Sequence, residues 1–205
     1  MILEIIPVGL LAANCYILGC EETKEGVIID PGGDGEKLIS KIEKSGLKIK
    51  YIILTHGHFD HIGAVNEIRN KTNALVAIHS LDKEMLEDEK RSKKNNRRLI
   101  TIDSYDMDLK DGDLLTIGNL ELKIIHTPGH SPGGISIFID NILFTGDTLF
   151  AGSIGRTDFY KGDMEEILSS IKNKLFTLPD DTKVYPGHGP SSTIFKEKTS
   201  NPFFL

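Results

Sequence analysis

The sequence has little of what a secreted or membrane-spanning protein needs. Its only cysteines are Cys15 and Cys20, which are too few for the disulfide framework of a small secreted domain. No apolar run approaches about 18 residues, the length that a membrane-spanning helix requires. The first residues, 1–7, lack the basic leader and the small-residue cleavage site of a signal peptide. We therefore expect a cytoplasmic protein with no membrane partner, in which both cysteines serve as small apolar strand residues.

The chain also lacks an excess of positive charge. Its formal net charge is −6 at pH 7, which gives no overall attraction to nucleic acid or to an anionic membrane. The local exception is the basic run 90–98, in which six of nine residues are Lys or Arg. Because no aromatic side chains are interleaved with these cations, we interpret the run as a solvated segment near the site mouth. A nucleic-acid patch is the alternative.

The chain does contain an ordinary proportion of core-forming residues. Its 205 residues, 39% hydrophobic and 26% charged, suit one domain over residues 1–205. Short apolar runs alternate with helical patterns, and hairpin-like pairs of runs dominate the middle of the chain. This organisation predicts an α/β fold of two mixed β-sheets with helices outside them, which makes four layers.

Local patterns predict several individual elements. Apolar residues at helical spacing begin at Leu38, and Gly46 is the expected stop of that helix. The Asp140-Asn141 pair is expected to join two antiparallel strands, and Thr182–Tyr185 is the last predicted strand. Further helices are expected over 61–69, over 164–178 and within the tail 191–205.

One stretch concentrates the chemistry of the chain. Residues 52–54 form a β-branched apolar run that predicts a buried strand, and directly after it come His56, His58, Asp60 and His61. Three histidines at one strand end would repel one another if protonated and would leave polar groups unpaired if buried neutral. A metal ion removes both costs, because imidazole nitrogens and carboxylate oxygens are its ligands. The stretch therefore predicts a metal site.

Three further candidate ligands repeat the same order of apolar run, glycine-containing turn and ligand. They are His130, Asp147 and His188. The resulting seven exceed the three or four protein ligands of a single catalytic zinc. Seven ligands fit two divalent metal ions that share one carboxylate and a bridging water. Such a pair makes hydroxide available at neutral pH and polarises a carbonyl or phosphoryl oxygen, so the set predicts a hydrolase that needs no serine or cysteine nucleophile.

Three other residues near these turns are open to two interpretations. Asp30 ends an apolar run, and it either accepts an imidazole N–H or is a turn aspartate. His126 lies four residues before His130, and it is either structural or a group near the metals. His79 lies off the glycine-turn pattern, and we interpret it as a cap or surface residue rather than a ligand.

The four turns together resemble the metallo-β-lactamase superfamily, and within it the glyoxalase II (hydroxyacylglutathione hydrolase) branch. After His188 the chain has Gly189-Pro190-Ser191 where full-length members carry a tyrosine, so it is most similar to the short, single-domain glyoxalase II-like hydrolases. The resemblance covers nearly the whole chain in order and is carried by Thr55-His56-Gly57-His58-Phe59-Asp60-His61-Ile62-Gly63, Thr127-Pro128-Gly129-His130-Ser131-Pro132-Gly133, Gly146-Asp147-Thr148-Leu149-Phe150 and Pro186-Gly187-His188.

The resemblance implies a four-layer αβ/βα sandwich with the site at one edge. It implies two divalent metal ions, with zinc as the default and with iron and manganese occurring in relatives; imidazole and carboxylate donors do not choose among them. It also implies a ligand set for each ion: His56, His58 and His130 for the first, Asp60, His61 and His188 for the second, and Asp147 as the bridge.

The reaction implied by the resemblance is hydrolysis of a thioester similar to an S-2-hydroxyacylglutathione. A hydroxide held between the metals attacks the carbonyl and the thiolate leaves, with Asp60 and Asp147 as the catalytic carboxylates. Arg156 and Tyr160 resemble the basic residue and the tyrosine that hold glutathione in the family, whereas a structural ion pair is the alternative for Arg156. The expected partner is a small-molecule thioester, with no nucleic acid.

Other functions remain open at the level of sequence. Relatives that are persulfide dioxygenases use one iron held by two histidines and an aspartate, which correspond here to His56, His130 and Asp147. A non-catalytic metal-binding or nucleic-acid-binding module would rely on the basic run 90–98. β-Lactam hydrolysis is a weaker option, because histidines fill every histidine position of the site.

Overall fold

The computed structural model describes residues 1–86, 102, 104–159 and 161–205. The basic run 90–98 and Tyr160 lie outside the described residues. Among the residues that are described, no helix is both long and apolar enough to cross a membrane. The assignment of residues 1–205 to one domain stays a prediction.

The first sheet contains six strands that lie side by side in sequence order. The pairs β1–β2 and β2–β3 are antiparallel, whereas β3 through β6 pair in parallel. All six strands come from residues 2–109. They are β1 (Ile2–Val8), β2 (Ala13–Gly19), β3 (Glu25–Ile29), β4 (Lys48–Ile53), β5 (Leu75–His79) and β6 (Met107–Leu109).

The second sheet also has six strands, in the order β14-β13-β10-β9-β8-β7. Only β10 and β13 pair in parallel; the other neighbours are antiparallel. A two-stranded ribbon, β11 (Leu149–Phe150) with β12 (Ser153–Ile154), stands apart from it. The six strands are β7 (Leu114–Ile117), β8 (Leu120–His126), β9 (Ile135–Ile139), β10 (Ile142–Gly146), β13 (Lys183–Pro186) and β14 (Ser192–Thr193).

The helices cover the outer faces of the two sheets. Two short 3-10 turns, Ser80–Asp82 and Leu175–Thr177, accompany them. The α-helices in the described residues are α1 (Gly35–Ser45), α2 (Phe59–Ile62), α3 (Val65–Thr72), α4 (Lys83–Leu86), α5 (Met164–Asn173) and α6 (Ile194–Ser200).

Three apolar clusters show how the layers stack. Neighbouring residues of the central strands point to opposite faces, so Ile28 packs with the residues of α1 and α3 while Ile29 packs against the second sheet. On the far side of the second sheet, Leu143 and Val184 pack with residues of α5 and α6 such as Ile167. The order helix, sheet, sheet, helix confirms the predicted four-layer α/β architecture.

Local sequence signals were sufficient where the structure is decided locally. The β9–β10 hairpin turns through Asp140 and Asn141, whose φ angles are +43° and +65°, as a two-residue turn of this hand requires. Helix α1 ends at Gly46, which takes the left-handed conformation with φ +67°. Both predictions are confirmed.

Three predicted boundaries are wrong. The helix expected over 61–69 is interrupted after Ile62, because Ala64 donates its N–H to Pro31 O at 2.8 Å instead of continuing the helix. The helix expected over 164–178 ends at Asn173 and is followed by a 3-10 turn before Pro179, a residue that disfavours helix at the position before it. The last strand is β14, which follows the predicted strand near 182–185.

Candidate metal centre

The seven candidate ligands lie on loops that leave the two sheets on the same side of the sandwich. His56 and His58 follow β4, and Asp60 and His61 lie on α2 directly after them. The remaining ligands follow strands of the second sheet, and the parallel pairing of β10 with β13 brings the carboxyl ends of these two strands together. These second-sheet ligands are His130 after β8, Asp147 after β10 and His188 after β13.

Six of the seven ligands form two triads. The ligand atoms of the first triad, His56, His58 and His130, all lie within 4.8 Å of one another. The second triad meets the same limit and consists of Asp60, His61 and His188.

Asp147 lies between the two triads. Its Oδ1 is 3.4 Å from Nε2 of His61, and its Oδ2 is 3.6 Å from Nε2 of His130 and 3.7 Å from Nε2 of His188. One carboxylate therefore faces ligand atoms of both triads. The structure brings together all seven residues that the sequence indicated, in two groups with one shared member.

Buried polar atoms without partners test whether a cation fits this place. His56 Nε2, His61 Nε2 and Asp147 Oδ1 are buried and have no hydrogen-bond partner among the described residues. An unpaired buried polar atom costs about 1–3 kcal/mol, and three at one spot are not expected without a ligand. A divalent cation accepts lone pairs from imidazole and carboxylate alike, so the donor set fits a metal.

Asp30 and Thr55 orient two of the imidazoles. Asp30 is buried and accepts hydrogen bonds from Thr55 N at 2.7 Å and from Thr55 Oγ1 at 2.6 Å. It also lies 2.9 Å from Nδ1 of His61, and Thr55 Oγ1 lies 3.1 Å from Nδ1 of His56. The Thr55 hydroxyl gives its proton to Asp30, so Nδ1 of His56 must donate to it, and Nδ1 of His61 donates to the Asp30 carboxylate. In both neutral rings the Nε2 lone pair then faces the cluster. Asp30 is the imidazole partner, one of its two interpretations.

A backbone carbonyl orients the third imidazole. His130 Nδ1 lies 2.7 Å from Arg156 O, and because a carbonyl only accepts, Nδ1 carries the proton. The Nε2 lone pair of His130 therefore points towards His58 Nδ1, 2.9 Å away. Two imidazole nitrogens at this distance can bind one cation together.

The loop that carries His188 depends on a residue without a side chain. A Cβ on Gly187 would lie 2.2 Å from Asp147 Oδ1 and 2.8 Å from His61 Cε1. Asn14 Nδ2 holds the same loop through bonds to Pro186 O and Gly189 O, each at 3.0 Å. The roles of Asn14 and Thr55 were not predicted, because Asn14 contacts a loop more than 170 positions away and the Asp30 partner of Thr55 lies 25 positions away.

Burial and mutual repulsion set the protonation of the histidines in the first triad. Burial lowers the pKa of His56 well below its ordinary value, and the nearby His61 and His58 lower it further. Burial and the neighbouring His130 lower the pKa of His58 to about 4. Both imidazoles are therefore neutral at pH 7, which is the form that binds metals.

Two opposite charges meet around Asp147. Burial alone would raise the pKa of Asp147, but the neighbouring His61 and His130 lower it to about 2. Burial alone would lower the pKa of His61, but Asp147 and Asp30 raise it well above its ordinary value. The carboxylate is therefore ionised, and a metal would compete with a proton for His61.

The mouth of the site has an aromatic rim. The Phe159 ring lies edge-on to His58, with centroids 5.3 Å apart, and it is 42% exposed. The Arg156 guanidinium lies 4.3 Å from the Phe159 ring centroid and makes two bonds to Asp158, at 2.9 and 2.7 Å. Arg156 is thus paired with Asp158 at an exposed position, and its role as a substrate contact stays a prediction.

The two remaining histidines lie outside both triads. His79 Nδ1 accepts a hydrogen bond from Leu81 N at 3.3 Å, so its prediction as a cap is confirmed. His126 Nε2 lies 2.9 Å from Pro132 O, and its ring stacks on that of His79. His126 is structural, one of its two interpretations.

Comparison with known proteins gives a consistent result. The family model described as the metallo-beta-lactamase superfamily matches residues 8–188. The chain is 42% identical to the probable metallo-hydrolase YqgX of Bacillus subtilis, over 97% of this chain and 95% of that protein. It is 40% identical to the hydroxyacylglutathione hydrolase GloC of Haemophilus influenzae, over 99% and 98%.

Solved structures with similar folds include metallo-beta-lactamases and related proteins. The BLEG-1 B3 metallo-beta-lactamase superposes with a TM-score of 0.93 at 42% identity, over 99% of both chains. TTHA1623 in a di-iron-bound form superposes with a TM-score of 0.87 at 33% identity, over 98% of this chain and 99% of that one.

Proposed function

Because the chain belongs to the metallo-beta-lactamase superfamily, we propose that it is a dinuclear metallohydrolase that cleaves a thioester. The observation that carries the proposal is the pair of triads with Asp147 between them. The unpartnered buried atoms His56 Nε2, His61 Nε2 and Asp147 Oδ1 support it.

The proposed ligands are those of the two triads. His56, His58 and His130 would hold one ion, Asp60, His61 and His188 would hold the other, and Asp147 would serve both. When bound, two divalent ions supply an activated water and a polarised substrate carbonyl. We propose zinc; iron and manganese suit the same donors, and the di-iron relative supports iron as the alternative.

The chain's own groups orient and hold protons around that chemistry. Asp147 stays ionised, so it presents acceptor oxygens to both triads. The Asp60 carboxylate is 14% exposed at the mouth, with Oδ2 3.2 Å from Nε2 of His188. Oδ2 is the oxygen that faces the second triad, so we assign to the other oxygen of the Asp60 carboxylate the role of orienting the attacking water and accepting its proton. Asp30 accepts from Nδ1 of His61 directly, and the Thr55 hydroxyl, which donates to Asp30, accepts from Nδ1 of His56.

A thioester is the proposed substrate because the GloC relative is named as a hydroxyacylglutathione hydrolase and matches 99% of this chain. Arg156 and Tyr160 remain the candidate contacts for the thiol carrier. Arg156 lies over Phe159 beside His58, so a substrate carboxylate would share its guanidinium with Asp158. The net charge of −6 supports a small molecule, rather than nucleic acid or a membrane, as the partner. We also propose a cytoplasmic location, which the two free cysteines support.

Elemental analysis combined with a substrate panel tests the proposal. The panel contains S-lactoylglutathione, other acyl thioesters and a chromogenic β-lactam, the last because of the BLEG-1 relative. We expect about two metal ions per chain and thioester turnover, both reduced in Asp147→Ala. A single bound ion without thioester turnover would refute the proposed dinuclear thioesterase. Turnover of the β-lactam and of no thioester would show that the substrate is a β-lactam instead.

An iron-dependent persulfide dioxygenase is the second candidate. His56, His130 and Asp147 would hold its single iron, and the relative in a di-iron-bound form supports iron as a candidate metal. The presence of a complete second triad favours the hydrolase. Oxygen uptake with glutathione persulfide that survives Asp60→Ala would decide for the dioxygenase.

A further inference from the structure

One carboxylate outside the triads joins both loops that carry the first triad. Asp82 is fully buried at the end of the 3-10 turn Ser80–Asp82. Its Oδ2 accepts hydrogen bonds from Gly57 N at 3.2 Å and from Ser131 Oγ at 2.7 Å, and its Oδ1 accepts one from Gly133 N at 2.6 Å. Gly57 lies between His56 and His58, and Ser131 follows His130, so Asp82 connects the two ligand loops.

Two glycines give the Asp82 segment room to approach. A Cβ on Gly57 would lie 2.7 Å from Met85 Cβ and 3.1 Å from Asp82 O. A Cβ on Gly133 would lie 2.7 Å from Asp82 N and 2.8 Å from its Cγ. Any larger residue at either position would push one of the ligand loops away from Asp82. The loops that carry His58 and His130 therefore both have a glycine where they contact the segment around Asp82.

The two histidines outside the triads make a second link between the same segments. The rings of His79 and His126 stack with centroids 4.1 Å apart and an interplanar angle of 7°. His79 accepts from Leu81 N, one residue before Asp82, and His126 Nε2 donates to Pro132 O, one residue before Gly133. The stack thus fixes the Asp82 turn against the His130 loop.

The direct contact between the ligands of the first triad cannot persist once they bind a cation. His58 and His130 are 72 positions apart in sequence, and their facing nitrogens are 2.9 Å apart. When both nitrogens offer lone pairs to a cation, no hydrogen bond joins them. Without a cation the two rings can share one proton in a hydrogen bond, and binding of a cation between them removes it. The spacing of the two loops must then be held by other contacts.

We propose that Asp82 is a positioning residue for the first metal, which it serves by holding loops 56–58 and 130–133 at the spacing that lets His56, His58 and His130 reach one cation. The proposal rests on the proposed function. Two of the three partners of Asp82 are backbone N–H groups that can only donate, so both carboxylate oxygens are needed as acceptors. An amide keeps one acceptor oxygen and turns an NH2 group towards a donor.

The test uses the full-length protein, stripped of metal and titrated with Co²⁺ by calorimetry and by visible absorption. In wild type we expect two binding steps, and His58→Ala identifies the step that belongs to the first triad. Asp82→Asn is expected to weaken that step about 10–100-fold, as loss of an outer partner does, and to leave the other step unchanged. Ser131→Ala removes one of the three donors and is expected to weaken the same step by about fivefold.

Glu197→Gln is the matched control. Glu197 is as buried as Asp82, and its carboxylate also accepts three hydrogen bonds, from Ser192 Oγ, Gly152 N and Asn201 Nδ2, none of them from a residue next to a ligand. We expect this variant to lose thermal stability but to keep both binding steps.

The outcomes distinguish the proposed role of Asp82 from the proposed two-metal function. Equal weakening of both steps in Asp82→Asn, no change in either, or the same selective change in Glu197→Gln would overturn the role of Asp82 while the two-metal function stands. A wild-type protein that binds fewer than two ions would refute the two-metal function itself. If Asp82→Asn does not fold, the selective shift in Ser131→Ala decides alone.

Discussion

Thr55→Val is the sharpest test of how the chain prepares its imidazoles. Valine has nearly the shape of threonine, so the substitution removes Oγ1 with little change in packing. Two contacts are lost: the 2.6 Å bond to Asp30 Oδ2 and the 3.1 Å contact with His56 Nδ1. The bond from Thr55 N to Asp30 remains. The variant therefore tests the hydroxyl group alone, which connects Asp30 to His56 and thereby orients the His56 ring.

The expected loss of stability follows from the two contacts. A hydrogen bond to a charged group contributes about 1.5–3 kcal/mol, and a buried donor left unpaired costs about 1–3 kcal/mol. We expect the free energy of unfolding of the metal-free protein to fall by about 3 kcal/mol. Because His56 is then free to change its tautomer or to rotate, metal affinity should also fall, by about 10–100-fold.

Thr182→Val provides the matched control. Thr182 is also fully buried, and its Oγ1 makes one hydrogen bond, to Asn141 Oδ1 at 2.8 Å, at the end of β13 opposite His188. We expect this variant to lose about 1 kcal/mol of stability and to keep its metal affinity. Urea denaturation measures the stability, and competition with a chromophoric chelator measures the affinity. Wild-type affinity in Thr55→Val would refute the reasoning that the hydroxyl orients His56.

Three further predictions concern the loop of His188, acid stability and metal removal. Gly187→Ala places a Cβ 2.2 Å from Asp147 Oδ1 and should lower the affinity for both metal ions. The control Gly189→Ala, at φ +77° with open space around it, should lose about 1–2 kcal/mol of stability and bind metal normally. Equal metal affinities of the two variants in a chelator competition would contradict this expectation. Burial lowers the pKa of His79 to about 4 from about 6.5 when unfolded. As pH falls through that window only the unfolded chain gains this proton, so stability should fall, and less steeply in His79→Asn; identical slopes in urea denaturation at pH 7 and 4.5 would count against the assignment. Chelation should lower the midpoint of thermal unfolding, since free metal at 100 times its Kd contributes about 2.7 kcal/mol; a midpoint that chelator leaves unchanged would argue against metal binding by the native state.

The sequence was most informative where a feature depends on residues close together in the chain. The ligand stretch 56–61 and the Asp140-Asn141 turn could be predicted because imidazole chemistry and backbone conformation are local properties. The interruption after Ile62 could not be predicted. Gly63 is needed there because a Cβ would lie 2.4 Å from Gly32 O, a contact made across 31 positions.

Asp82 shows the same limit at the site. No pattern near Asp82 in the sequence marks it as part of a site, and its partners Gly57, Ser131 and Gly133 lie 25 to 51 positions away. Candidate metal ligands can be recognised in a sequence by their residue type, chiefly histidine. The groups that hold such ligands in place are aspartates, threonines and asparagines, which occur throughout the chain in other roles. Only the folded arrangement distinguishes Asp82 from the chain's other carboxylates.

The origin of the two sheets places the candidate metal site between two halves of the polypeptide. The first sheet uses residues 2–109 and the second uses residues 114–193, and each triad draws ligands from both. A cut near Gly112, where a turn with φ +85° has open space around it, would therefore yield two complementary fragments. Their reassembly would be tightened by the metals, and the protein would behave as a cation-dependent heterodimer.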